Sequence, residues 1–154
     1  MSGVSRAAQL FRDGCACSQA ILAVYGQPLG LSRTTAMQLA AGFAGGMRLG
    51  GTCGAVTGAF MVLGLRNASE NCDTAAGRAD VYSRVVEFAK RFQGRNGSVV
   101  CRELLGCDIS TPDGMRQAQE RNLFKTTYVK MVEDAAMILE EMEAESQPTV
   151  ARDG

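Results

Sequence analysis

Apolar residues recur at spacings of three and four along almost the entire chain, and glycines cut that rhythm into segments, so the sequence prescribes helices rather than strands. A first segment runs over residues 4 to 25, with Gly14 as a candidate break and Gly26, Pro28 and Gly30 as its end. Ser32 is placed to N-cap a second helix through Met37, Leu39, Ala40 and Phe43, which stops at Gly45 and Gly46. Cys53 to Leu65 reads as a third, short and almost wholly apolar. Asp73 or Thr74 begins a fourth, whose Arg78, Tyr82, Val85, Ala89 and Phe92 share one face until Gly94 and Gly97 end it. Ser98 caps a fifth from Val99 to Leu105, stopped by Gly106. Pro112 opens a sixth that reaches about Ala144 along the stripe Leu123, Tyr128, Met131, Ala135, Ile138 and Met142. The expectation is an all-α fold: one compact bundle of five to six helices over residues 1–145 with a glycine-rich central helix-loop-helix, and a flexible tail over 146–154.

Charge narrows the partners. Lysine plus arginine and aspartate plus glutamate both number 16, with no block of either sign, which argues against nucleic acid and against an anionic membrane surface. The cleanest apolar run, Cys53 to Leu65, falls short of the ~20 residues a membrane span requires. No secretory apolar core precedes Asp13 and Gly14, so the cytoplasm is the expected compartment and another protein or a small molecule the expected partner.

The glycine-rich middle, Gly42 to Gly58, invites three readings. Gly46 and Gly51 have the spacing of a phosphate loop, but Thr52 stands where its lysine belongs and no strand precedes it, which leaves no nucleotide motif. Glycines four apart, Gly42 with Gly46 and Gly54 with Gly58, make smooth helix faces for close packing, and a homodimer through such faces is the candidate assembly. Alternatively, a bare backbone around Cys53 leaves room for a cofactor or a second cysteine.

Site chemistry is confined to sulfur and oxygen donors, because the chain has six cysteines and no histidine. That composition excludes a histidine-assisted triad, a His-rich zinc site, C-x-x-C-H haem attachment and a histidine pH switch within this chain. Six cysteines in 154 residues are less than half the density of a disulfide scaffold, which favours free thiols. No C-x-x-C occurs.

Cys53 would lie in the first turn of the third helix, where unpaired amides and the dipole favour a thiolate, with Arg48 adding to the field; the competing reading is an inert core thiol. Cys15 and Cys17 diverge by about 200° on a helix, so both cannot face one site. Cys17, in line with Ala20, Ile21 and Val24, is the inward one. Cys101 and Cys107 converge only if the chain turns back at Gly106, and Cys72, in a polar stretch, reads as an incidental surface thiol.

Three blocks, Gly14 to Leu22 (GCACSQAIL), Ala41 to Gly58 (AGFAGGMRLGGTCGAVTG) and Phe92 to Gly106 (FQGRNGSVVCRELLG), resemble in order the C-GCAxxG-C-C family of redox-active proteins over nearly the whole chain. The resemblance implies a small helical protein, similar to a domain of split-Soret cytochromes associated with an iron-sulfur centre. The family's cysteines fall on Cys17, Cys53 and Cys101, while its fourth is absent, with Thr126 or Thr127 in its place.

A four-thiolate cluster would then need a further ligand, for which Cys107 is preferred and Cys15, a threonine or carboxylate oxygen, an external ligand or a partner chain are alternatives. The expected function is redox activity of Cys17, Cys53 and Cys101, either holding an iron-sulfur cluster or other soft metal, with Cys107 completing the set, or cycling between dithiol and disulfide. In the thiol version Cys53 is the attacking thiolate and Cys17 or Cys101 resolves. The alternative class is a helical interaction or assembly module whose cysteines only fill space. A thiol-dependent enzyme ranks third, because no carboxylate, lysine or tyrosine constellation nominates a general base.

Overall fold

The computed structural model describes residues 1–146, so the tail expected over 146–154 lies, apart from Ser146, outside the described residues. Eight helices account for the architecture: α1 (Gly3–Arg12), α2 (Cys17–Gly26), α3 (Arg33–Ala40), α4 (Gly54–Asn67), α5 (Ala75–Asn96), α6 (Cys101–Leu105), α7 (Pro112–Glu120) and α8 (Thr127–Ser146). The all-α class is as expected, and the count is higher because two expected helices are each broken in two.

The first break is at Gly14, whose φ of 107° ends α1 and turns the chain so that the Cys15 amide reaches back to the Leu10 carbonyl. The second falls where the sequence has neither glycine nor proline. Asn122 takes φ 58°, a left-handed conformation that asparagine tolerates better than most residues, and a short 3-10 turn over Leu123–Lys125 separates α7 from α8. The expected core stripe survives this interruption, since Leu123, Tyr128, Met131, Ala135, Ile138 and Met142 are all buried.

Four of the eight helices are capped at the N-terminus by a hydroxyl side chain. Ser32 accepts from the Thr35 amide and Thr74 from the Gly77 amide, each satisfying an otherwise free first-turn donor. Thr111 does the same for Gly114, ahead of α7. Ser98 does not cap α6 as expected: its hydroxyl accepts from the Val100 amide, and Val100 itself is the N-cap. The face of α5 that shares helical spacing is buried only in part. Phe88 and Phe92 are buried, whereas Tyr82 is exposed because the helix turns that position outward.

Helix α2 is the central element, with nine of its ten residues buried. It packs on α4 so closely that a side chain at Gly54 or Gly58 would collide with it. A Cβ on Gly58 would stand 2.9 Å from the Ser18 carbonyl oxygen and 3.2 Å from the Ser18 Cα. The Gly54/Gly58 face is thus consumed within the chain, and the close-packing reading holds there. Gly42 and Gly46 form no comparable face. Gly42 has open space around it, and Gly46 lies in a left-handed turn in which Gly45, Gly46, Met47 and Arg48 all have φ near 60°. Met47 and Arg48 are the non-glycine residues in that region, a conformation that costs about 1–2 kcal/mol per residue, and the Gly51 amide donates to the Gly46 carbonyl across the turn.

No helix among the described residues is long and apolar enough to cross a membrane.

Candidate redox site

The site arises where three chain segments end or begin helices inside the core. Cys17 is the first residue of α2, Cys53 immediately precedes α4, and Cys101 is the first residue of α6; all three are 2% exposed or less. A single antiparallel bridge, Thr52 with Val100, sets two of these side by side. The Cys53 amide donates to the Val99 carbonyl at 2.8 Å and the Cys101 amide to the Gly51 carbonyl at 2.6 Å. Because side chains alternate along an extended pair, Cys53 and Cys101 leave the bridge on the same face, as diagonal neighbours. Helix α2 then brings Cys17 to that face through the glycine contact, for a Cβ on Gly54 would lie 2.8 Å from the Cys17 sulfur and 3.1 Å from the Phe43 carbonyl oxygen.

The structure therefore gathers the three predicted cysteines into one buried neighbourhood, but it does not treat them alike. The Cys17 thiol is held below its ordinary value by a hydrogen bond from Cys53, assisted by the backbone amides of Ser18, Cys17 and Ala55, against the opposing cost of burial. Those amides are orphan donors of two helix N-termini, α2 and α4, so the Cys17 sulfur sits where both dipoles are positive. Cys53 moves the other way. Donating its proton to Cys17 holds its own thiol well above the ordinary value, and burial adds to this, with only the Ala55 amide opposing.

Cys53 has a second soft acceptor in reach, the Met131 Sδ at 3.9 Å. A charged acceptor is the stronger kind, so the Cys53 proton turns to Cys17 whenever Cys17 is ionised and otherwise rests on the Met131 sulfur. The two directions make Cys17, rather than the expected Cys53, the more acidic thiol of the pair. Both cysteines begin a helix, but Cys17 meets three amides where Cys53 meets one. Arg48, expected to strengthen the field at Cys53, is exposed in the left-handed turn and is not among the main influences on either sulfur.

Cys101 keeps its proton. Burial raises its thiol, partly offset by the Tyr128 hydroxyl, whose Oη is 3.6 Å from the Cys101 Sγ. Tyr128 in turn is raised by burial and by the charge of Cys101, with smaller contributions from Cys17 and Cys53. With Met131, it is one of two side chains from the last helix that meet the site. Thr126, considered as the stand-in for the missing fourth cysteine, is exposed, and Thr127 is half-buried. Tyr128 and Met131 were visible in the sequence only as members of the apolar stripe of α8; their three-residue spacing put them on one face but gave no hint that the face carried a phenol and a thioether to sulfur.

The remaining cysteines separate clearly. Gly106, with φ 68°, does turn the chain back, and Cys107 is buried near Cys101, on which it acts electrostatically. Cys15 is half-buried and faces a cleft rather than the core, and Cys72 is exposed, as expected.

A standard iron-sulfur cluster takes four thiolates. Among the described residues no group of three or more cysteine, aspartate or glutamate side chains stands at ligand spacing. The neighbours that complete the group around the three thiols are a phenol and a thioether, and Gly54 has no space beyond that filled by the Cys17 sulfur. As arranged, the residues fit neither a cluster nor a soft metal ion with Cys107 as fourth ligand.

A family model, C_GCAxxG_C_C, described as "putative redox-active protein", matches residues 15–142. No curated protein and no solved structure matches the chain.

Proposed function

The chain belongs to the C_GCAxxG_C_C family of putative redox-active proteins, and on that premise we propose that Cys17 and Cys53 are its redox couple, working by dithiol/disulfide exchange. One observation carries this reading: Cys17 and Cys53 are both buried where α2 and α4 begin, with the Cys17 sulfur seated against Gly54, the residue that follows Cys53, and their acidities pushed in opposite directions. Thiol exchange needs one sulfur ionised at neutral pH and a second, protonated one ready to follow it.

The acceptor is a disulfide. The Cys17 thiolate attacks one of its sulfurs, the acceptor S–S bond breaks, one half leaves as a thiolate and a mixed disulfide forms on Cys17. That bond removes the negative charge that had kept Cys53 protonated. The Cys53 proton passes to the departing thiolate, and the Cys53 sulfur then attacks Cys17, forming the Cys17–Cys53 disulfide and releasing the second half as a thiolate. Two electrons leave the pair, and the acceptor disulfide becomes two thiols, one of them protonated by Cys53. Cys101 and Tyr128 line the pair without joining the exchange.

Since Cys17 is 2% exposed and Cys53 1%, the acceptor reaches them only when the cover opens. The segment from Phe43 to Gly51, whose Phe43 carbonyl borders the Gly54 contact and whose turn is strained, is that cover. The test is a redox titration in glutathione buffers. A two-electron couple is expected in the wild type and in Cys101→Ala, and absent from Cys17→Ala and Cys53→Ala. If all four proteins behaved alike, the cysteines would be packing residues and the chain a helical interaction module.

A further inference from the structure

A cleft of about 630 Å³ opens between the end of α1, the Gly14–Ala16 turn and the short turn before α8. It is lined by Phe11 and Phe124, by Cys15 at its wall and by Arg12 and Lys125, with no carboxylate in the lining. Its size falls within the range of small-molecule sites, and its make-up, mainly apolar with a few convergent polar groups, is that of a ligand pocket rather than of a packing defect. The position is unusual because both phenyl rings stack on Tyr128. Phe124 lies parallel to it with centroids 5.0 Å apart, and Phe11 stacks at 5.7 Å. Tyr128 is the side chain whose hydroxyl touches Cys101.

We propose that this cleft binds a planar aromatic anion, a ring system carrying a sulfonate, phosphate or carboxylate group. The rings of Phe11 and Phe124 supply flat apolar wall, and a conjugated ligand against them extends the three-ring stack, an arrangement that adds to simple area burial. Lys125 makes no ion pair among the described residues, and Arg12 is held only by an exposed 3.6 Å pair to Glu133, of the kind worth about 0–1 kcal/mol. Both cations are therefore available to an anionic group at the rim. A bound ring would stand one aromatic layer from Cys101 and against Cys15, so the site sits beside the thiol neighbourhood without requiring the Cys17–Cys53 couple to function.

The probe is anthraquinone-2-sulfonate, with a non-aromatic cyclohexyl sulfonate as comparison, read by calorimetry and by the rate at which iodoacetamide alkylates Cys15. Saturable binding of the aromatic anion is expected, with slower alkylation of Cys15 and an unchanged rate at the exposed Cys72, which serves as internal control. The double variant Arg12→Gln, Lys125→Gln, altered only at exposed positions, should weaken the aromatic anion about tenfold, the change expected of lost charge-assisted contacts. Phe124→Leu should weaken it about fivefold while leaving the fold intact.

Repeating the titration on Cys53→Ala separates the two proposals, because binding should persist there although the redox couple is lost. Absence of saturable binding, equal affinity for the cyclohexyl sulfonate, affinity unchanged in the double variant, or Cys15 alkylation unaffected by the probe would each overturn the inference.

Discussion

The N-termini of α2 and α4 carry one cysteine each, both buried, both adjoining the same glycine contact, and yet the two thiols are driven in opposite directions. A helix N-terminus by itself does not make a thiolate. At α2 the sulfur is favoured as an anion by three backbone amides and by the Cys53 thiol; at α4 it has one amide, a methionine sulfur and a neighbouring thiol that disfavours its ionisation. The dipoles are comparable, and the difference lies in how many donors reach each sulfur and which of the pair gives up its proton.

The largest expected effect breaks the contact that makes the comparison. Gly54→Ala puts a methyl group 2.8 Å from the Cys17 sulfur, and overpacking of this kind should cost about 1–3 kcal/mol in urea denaturation. Gly42→Ala, at a position with open space, should leave stability nearly unchanged and serves as its control. Equal losses at the two glycines would mean that helix α4 does not seat the pair as described.

Next comes the pH dependence of stability, in which the two thiols have opposite signs. The folded value of Cys17 is depressed, so its contribution is present above the ordinary thiol value of 9.0 and is lost as pH falls through the folded value; stability should climb across that window. Cys53, Cys101 and Tyr128 are raised, so their contributions are complete below the ordinary thiol and phenol values and disappear as pH rises beyond them. Denaturation midpoints measured against pH should therefore rise and then fall. Cys17→Ala should flatten the rise, whereas Cys53→Ala should lessen the fall and also weaken the rise, because Cys17 loses its donor. Identical profiles for the two variants would remove the asymmetry.

Smaller changes sharpen the edges of the site. Tyr128→Phe deletes the hydroxyl at 3.6 Å from Cys101 and should cost about 1 kcal/mol while raising the Cys101 thiol further, followed by thiolate absorbance. Cys72→Ser, far from any of this on the surface, should stay within about 0.5 kcal/mol of wild type with an unaltered redox couple.

Much of this was legible in the residues. Helical periodicity carries the all-α class, and the position of Cys17 in line with Ala20, Ile21 and Val24 marks it as inward. The glycine pair Gly54 and Gly58 signals a close helix contact, though only coordinates reveal that α2 rather than a second chain fills it. Other features had no local signal. Asn122 breaks the last helical run by a left-handed turn that periodicity passes over, and the extended pairing of Thr52 with Val100 joins segments 48 residues apart. The relative acidity of Cys17 and Cys53 depends on which amides point at which sulfur, and spacing along the chain does not encode that.

The central claim, that Cys17 and Cys53 are the couple, meets its most direct test in disulfide mapping. The protein is equilibrated with oxidised glutathione, its free thiols are alkylated, and the digested peptides are weighed. A Cys17–Cys53 cross-link reversed by dithiothreitol, with Cys101 and Cys107 alkylated only after unfolding, is the predicted result. A cross-link joining other cysteines, or six free thiols at every glutathione ratio, would contradict it.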